Sequence, residues 1–418
     1  MDSSDSSDDE AALDMGADDF FDLMEEELQP DQSKPADSPT DRTIWMHPSV
    51  QVAPVSAKGR GLVTLAPIAA GTVVLRETAA ASAPVTAADA IEQSACLVVA
   101  LIRAGRSALC DGLEPQMCEF ATHPMRKKLF DTLVHGAGLV QVKLSGDSLP
   151  VLSTEEVERL LLVVILNAHS VRTRSGPRQG LFPLAAMGNH ACWPNLMFEG
   201  EIRDDSEPNI VFRTIVDTEI GSELCISYIG PSFTSFAERS EQLQLGYGFM
   251  AEGLSTDPLL ELTNTEALSP EVAEAQLQQV FAANSGADVS WEKLGSAGCT
   301  GGTRDLNRRT AIKEYRAVIQ VSLLGTCHAW RYNATLRLAM LLNEIGTAEG
   351  FEEALPLWQA LLEAGELVWP SPLWPEQVAL LRGAKTAASG LGISKCVEEY
   401  DAKLRFLDSK LELTMGIK

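Results

Sequence analysis

A change of period near residue 260 constrains this chain more than any other feature. Before it, short runs of aliphatic and β-branched residues are broken by Gly, Pro and polar turns. After it, apolar residues recur at helical spacing. Strands first and helices afterwards predict an α+β chain and not a βαβ array, because only strictly alternating elements build a parallel sheet. With 418 residues, 45% of them hydrophobic, the chain is long enough for two or three domains and a sizeable core.

In the second part, helical stretches are expected near 309–324, 330–345, 351–364, 375–388 and 394–413. They are divided by Gly325, Gly346, the PSP at 370–372 and Gly390. Ser269 and Pro270 would cap an earlier helix, and GSAGCTGGTRD at 295–305 reads as a Gly-rich loop. Helix starts recur about every twenty residues, so a helix pair repeats at about forty, which is within the range of α-solenoids. The expectation is a degenerate helical-hairpin array.

In the first part, GRGLVTLAPIAAGTVVLRE offers two strand-like runs around Pro67 and Gly71, a hairpin-like pattern. Residues 85–110 and 153–168 carry helical spacing, and Ser153 with Glu156 forms a capping box. NIVFRTIV (209–216) and ELCISYI (223–229) read as strands separated by the turn DTEIGS.

Charge narrows the function classes. The net charge is −25, and residues 1–42 hold fifteen Asp or Glu against Lys34 and Arg42. That tail is expected to be disordered by self-repulsion. Within it Phe20, Met24 and Leu28 would share one helix face, so residues 18–29 are either a solvated stretch or a short acidic helix for a partner's groove. An acidic chain is a poor direct binder of nucleic acid and a good encounter surface for basic protein segments. No apolar run is long enough to span a bilayer. The eight cysteines include no C-x-x-C pair, which suits a reducing compartment, cytoplasm or nucleus.

There is no Walker A string, H-E-x-x-H, G-x-S-x-G or G-x-G-x-x-G after a strand, and the six histidines lack metal-ligand spacing. Four other strings carry information by their order: KGRGL at 58–62, ILNAHS at 165–170, GLFPLAAMGNHACWPN at 180–195, and SYIG at 227–230 followed by EQLQLGYGF at 241–249. Together they resemble a SET-domain protein methyltransferase, most nearly the SET- and MYND-domain lysine methyltransferases. The resemblance implies a SET β-fold with a helical insertion, followed by an all-α tetratricopeptide-like C-terminal domain. Its expected boundaries are 43–78 and 165–230 for the two SET parts, 79–164 for the insertion, 231–254 for a post-SET segment and 255–418 for the helical domain.

The resemblance also implies the chemistry. Gly59, Arg60 and Gly61 would approach S-adenosylmethionine through their backbone, with Asn167, Asn189 and His190 holding other parts of it. Glycine suits such an approach because it has no Cβ. Tyr228 and Tyr247 would be the active-site tyrosines, Tyr228 also touching the cofactor, and Phe249 would close the lysine channel. The substrate would be a lysine-containing protein. A plain hairpin turn at Gly59–Gly61, a helix-terminal Asn167, a satisfied core His190 and a core strand Tyr228 are the structural alternatives. Two departures stand out. Residues 78–110 contain only Cys96 and Cys110, too few for a MYND finger. MAEGLSTDP after Phe249 lacks the family's C-x-C-x-x-C zinc ligands. No zinc is therefore expected, Cys192 would be a buried free thiol, and either packing against the C-terminal helices replaces the zinc clamp on the channel wall or the domain is a catalytically weak or inactive scaffold acting as a protein-interaction module.

Overall fold

A computed structural model describes residues 43–411 apart from 57, 86–88, 148–151, 174–175, 202–206, 230–235, most of 254–300, 321–328, 370 and 375. The acidic tail with residues 18–29, and the cap at Ser269–Pro270, lie outside the described residues.

Among the described residues, the first part has eleven strands in three small sheets. Strands β1 (Ile44–Met46), β4 (Val73–Thr78), β10 (Asn209–Thr214) and β9 (Leu196–Glu201) form one sheet in the order β1-β4-β10-β9. Strands β2 (Val50–Val55), β3 (Gly59–Thr64), β11 (Glu223–Ile226) and β8 (Asn189–His190) form the second, in the order β2-β3-β11-β8. The third is β5 (Ala81–Pro84), β7 (Gly176–Leu181) and β6 (Ala168–Thr173). Leu62, Leu75, Phe182, Phe212, Leu224 and Ile226 fill the space between sheets.

The expected hairpin of 59–64 with 73–78 is not formed. β2 and β3 pair antiparallel from Val50↔Thr64 to Val55↔Gly59 around a tight turn, with Gly59 at φ +73°. β11 takes the other edge of β3, and β1 and β10 take both edges of β4. A strand has two edges, so β3 and β4 have none left for each other.

Helices α1 (Ala90–Arg103), α2 (Met117–Phe120), α3 (Pro124–Lys128), α4 (Phe130–Leu144) and α5 (Thr154–Asn167) form the insertion. They have their own core, with Leu97, Val98, Leu101, Val140 and Leu161 among its buried residues. The Ser153–Glu156 capping box is present as read. The insertion also contains strand β5, which the expected segment 79–164 had as helical.

After α6 (Phe236–Gly246) come α7 (Gly301–Ile319), α8 (Ala329–Ile345), α9 (Ala348–Val368), α10 (Glu376–Gly390) and α11 (Ser394–Leu411). Neighbours in sequence pack as neighbours in space. Residues 301–305, expected in the Gly-rich loop, already belong to α7. The first four of these five helices are longer than expected, and alternate ones start at 301, 348 and 394, a wider repeat than forty. The array core includes Tyr315, Leu341, Trp358, Leu381 and Tyr400, and Ile215 from the first part joins it.

Candidate active site

The site is assembled where β8 lies parallel to β11, with Cys225 opposite Asn189 and Ile226 opposite His190. Two residues of β8 could not hold that register alone. Asn195 does much of the rest: its Nδ2 donates to the Glu223 carbonyl at 2.8 Å, and its Oδ1 accepts from Cys225 N at 2.8 Å. The Ala191 N–H donates to the Ile226 carbonyl at 2.9 Å.

Asn189 faces the turn that opens β3. Its Nδ2 donates to the Arg60 carbonyl at 3.0 Å and to Glu223 Oε1 at 2.7 Å. Glu223 also receives Lys58 Nζ at 3.3 Å, and Lys58 reaches the His190 carbonyl at 3.4 Å. Partial burial pulls the Lys58 pKa down, but Cys225, Glu223 and Glu252 outweigh it, so the ammonium stands above the ordinary lysine value. At Gly61 an added Cβ would lie 2.8 Å from both Asn189 Nδ2 and Val55 Cγ2, so a glycine is required there by contact.

The insertion supplies the second wall. Asn167 ends α5 with Nδ2 donating to the Glu114 carbonyl at 2.7 Å and to the Val163 carbonyl at 2.9 Å. Glu114 Oε1 would lie 3.2 Å from a Cβ at Gly59, and the Arg60 guanidinium donates to the Gly112 carbonyl. An amide nitrogen has two hydrogens. Asn167 and Asn189 spend both on the protein, so each offers its Oδ1 as an acceptor for a ligand's donor.

Beyond β11 four rings converge. Tyr228 lies 4.8 Å from Tyr247, 5.5 Å from His190 and 6.3 Å from Phe249, centroid to centroid, and His190 lies 6.0 Å from Phe249. Tyr228 OH donates to the Gly188 carbonyl at 3.1 Å, and Tyr247 OH donates to the Tyr228 carbonyl at 3.3 Å. Burial, with the positive Lys58 and Arg239 nearby, pulls His190 down to about 4, so it is neutral at pH 7. Its Nδ1 accepts from Tyr228 N at 3.1 Å. Burial raises both tyrosines above the ordinary phenol value, and they stay protonated. The cluster therefore presents ring faces, phenol oxygens and carbonyls, without a cation of its own. Such a lining stabilises a positive centre.

Residues 59–229 match the family model described as the SET domain. The chain carries a SET domain. A human relative, the histone-lysine N-methyltransferase SMYD3, is 38% identical over 72 residues, which is 17% of this chain and 15% of that protein. The chain thus matches only a small part of that relative's length. A solved structure, the SET domain of LSMT bound to lysine and AdoHcy, is similar over 86% of this chain and 88% of that one, at 13% identity and a TM-score of 0.33.

All nine residues expected at the site lie on this SET domain or its flanking segment, and all nine line the two walls and the ring cluster. Strand β11 ends at Ile226, so Tyr228 is not a strand aromatic but leads the segment beyond it. Sequence reading passed over Lys58, Glu223, Asn195 and Glu114 as functional residues. Lys58 and Asn195 were visible inside KGRGL and GNHACWPN. Glu114 sits among loops and short helices and carried no local signal.

The stretch before Phe249 meets the helical insertion. Leu245 offers its carbonyl to Lys128 Nζ at 2.7 Å, and Gly248, at φ +84°, lies against Met125. Among the described residues it is helix α3 of the insertion, not the C-terminal array, that grips the stretch before Phe249. The array instead grips the other side of GNHACWPN. Trp193 packs on the array core, with Arg239 over its ring at 5.4 Å. Ser371 Oγ donates to the Ile215 carbonyl, and the Gly71 turn lies against the Lys410 carbonyl. Cys192 is half-buried instead of buried, with Sγ 3.5 Å from His190 Nε2. Among the described residues no group of three or more His, Cys, Asp or Glu is arranged to hold a metal.

Proposed function

We propose that this SET domain transfers a methyl group from S-adenosylmethionine to the ε-amine of a protein lysine. The observation that carries the reading is the ring cluster of His190, Tyr228, Tyr247 and Phe249, neutral throughout, beside Gly61, where an added Cβ would lie 2.8 Å from Asn189 Nδ2 and Val55 Cγ2. When bound, S-adenosylmethionine supplies an electrophilic methyl on a positively charged sulfur. Gly59, Arg60 and Gly61 would hold it by backbone, Asn167 and Asn189 by their side-chain oxygens, and His190 and Phe249 by ring contact. The Glu114 carboxylate, beside the same turn, is placed to accept from ligand hydroxyls.

Tyr228 would orient the amine and Tyr247 would line its channel. The amine must be neutral to accept a methyl. Lowering a lysine pKa from 10.4 to about 7.4 costs roughly 4 kcal/mol, and desolvation between these rings supports a shift of that order without a dedicated base. The net charge of −25 favours a basic protein segment as substrate. The α3 contacts described above support a channel wall held without zinc, and the scattered cysteines suit a reducing compartment, cytoplasm or nucleus.

Calorimetric titration with S-adenosylmethionine tests the first half of the reading. Labelled cofactor with a proteome extract tests the second and identifies the substrate. A chain that binds cofactor and labels proteins is expected. A folded chain that does neither is instead a catalytically weak or inactive interaction scaffold.

A further inference from the structure

We propose that Glu77 is a positioning residue for methyl transfer: its buried carboxylate sets the place of the Gly188 carbonyl and, through it, the direction of the Tyr228 hydroxyl. The inference rests on the reading that Tyr228 orients the acceptor amine.

Glu77 lies on β4, opposite Ile44 of β1 and Ile210 of β10, and is 1% exposed. Its Oε2 accepts from Ala185 N at 2.7 Å and from Leu184 N at 2.9 Å, and its Oε1 lies 3.1 Å from Leu184 N. Those amides begin the 3₁₀ turn Ala185–Met187. The turn then closes on itself, Ala186 N to the Phe182 carbonyl at 2.9 Å, Met187 N to Leu184 at 3.1 Å and Gly188 N to Ala185 at 2.9 Å. Its last member, Gly188, presents the carbonyl that accepts from Tyr228 OH. Gly188 lies against the core, where an added Cβ would be 2.9 Å from the Phe212 ring.

A buried carboxylate is a costly way to fill space, and an apolar residue of similar volume would be the cheaper choice for stability alone. What the carboxylate alone supplies is two acceptor oxygens facing two adjacent N–H groups. The chain of contacts from Glu77 to Tyr228 is short and rigid, and it ends on the hydroxyl and not on the cofactor turn. Asn189 is held by Glu223 and by the Arg60 carbonyl, so Glu77 acts on turnover and leaves cofactor binding to other residues.

The test is Glu77→Gln in the full chain. The amide keeps one acceptor and turns an NH2 toward a backbone N–H. kcat is expected to fall about tenfold, with KM and the Kd for S-adenosylmethionine within about twofold of the parent. In a Tyr228→Phe background the same change is expected to cost nothing further, since both act through one hydroxyl. The 13Cζ resonance of Tyr228, which reports its hydrogen bond, is expected to move. Loss of kcat and cofactor affinity together, or an undiminished effect in the Tyr228→Phe background, would show a merely structural role and overturn the proposal. If Glu77→Gln does not fold, Glu77→Asp, which keeps the charge and shortens the reach, carries the same three measurements. If the parent chain transfers no methyl, the functional reading fails, and an unmoved Tyr228 resonance in the variant then overturns the positioning role independently.

Discussion

The SET region and the helical array are held together by different physics. In the SET region, buried and half-buried polar groups reach across long stretches of chain: Lys58 to Glu223, Asn189 to Arg60, Glu77 to Ala185, Thr64 to Glu219. In the array, the described contacts join neighbouring helices through apolar side chains and closely approached glycines. A Cβ at Gly383 would lie 2.5 Å from the Trp358 ring. The first arrangement fixes atoms for chemistry at the cost of buried polarity. The second fills space, and its polar contacts are mostly at the surface, such as Arg316 with Glu353. The array is a buttress, meeting the SET region through Trp193, Ile215 and the Gly71 turn, while the candidate site stays on the long-range polar network.

The sharpest way to break that contrast is Trp358→Ala. The ring is 3% exposed, and its loss should cost about 3–5 kcal/mol. Urea unfolding should show the loss at the array's tryptophans, while the Kd for S-adenosylmethionine stays within a few-fold below the transition. A matching collapse of cofactor affinity would mean that the array builds the site and does not merely support it.

Acid should separate the two regions next. His190 is held at about 4 against an ordinary 6.5. The unfolded chain gains that proton from pH 6.5 downward and the folded chain only near 4. Its contribution to stability is whole above pH 6.5 and is lost as pH falls toward 4, by about 3 kcal/mol. Glu376 of α10 behaves oppositely. Burial, only partly offset by a backbone hydrogen bond, holds it at about 8 against an ordinary 4.5, and its Oε2 is buried without a hydrogen-bond partner. Its contribution is whole below pH 4.5 and is lost as pH rises toward 8. Between pH 6.5 and 4.5 the two groups push in opposite directions. Urea unfolding at pH 7 and pH 5, followed by 19F-labelled Trp193 and Trp358, should move the two signals apart. Parallel movement would show that the halves unfold as one.

Tyr228→Phe should lower methyl transfer at least tenfold, about 1.4 kcal/mol, while cofactor affinity stays similar. Unchanged turnover would remove Tyr228 from its role. The smallest effect belongs to the array surface. Glu353→Gln removes the exposed partner of Arg316 and should cost about 0.2–1 kcal/mol in urea, less at high salt.

What was legible in the sequence follows from the range of the interactions. The helices of the array were readable because their period is local, and the Ser153–Glu156 cap because three residues complete it. Asn189, His190 and Tyr228 were readable because they stand in short strings of unusual composition. The partners of those residues were not. Glu223 and Glu77 look like ordinary strand carboxylates, and nothing nearby says that one meets Asn189 and the other the amides of a turn more than a hundred residues away. The pairing of β3 with β2 and β11, instead of with β4, depended on which edges other strands had already filled. By itself, then, the sequence determined the order of elements, the helical periods and the reactive strings, since each is set by neighbours within a few residues. Only the tertiary structure decided which carboxylate holds which atom, and that α3 lies against the stretch before Phe249. Those choices rest on contacts between distant segments, where a hydrogen bond is decided by geometry and exclusion of water and not by spacing along the chain.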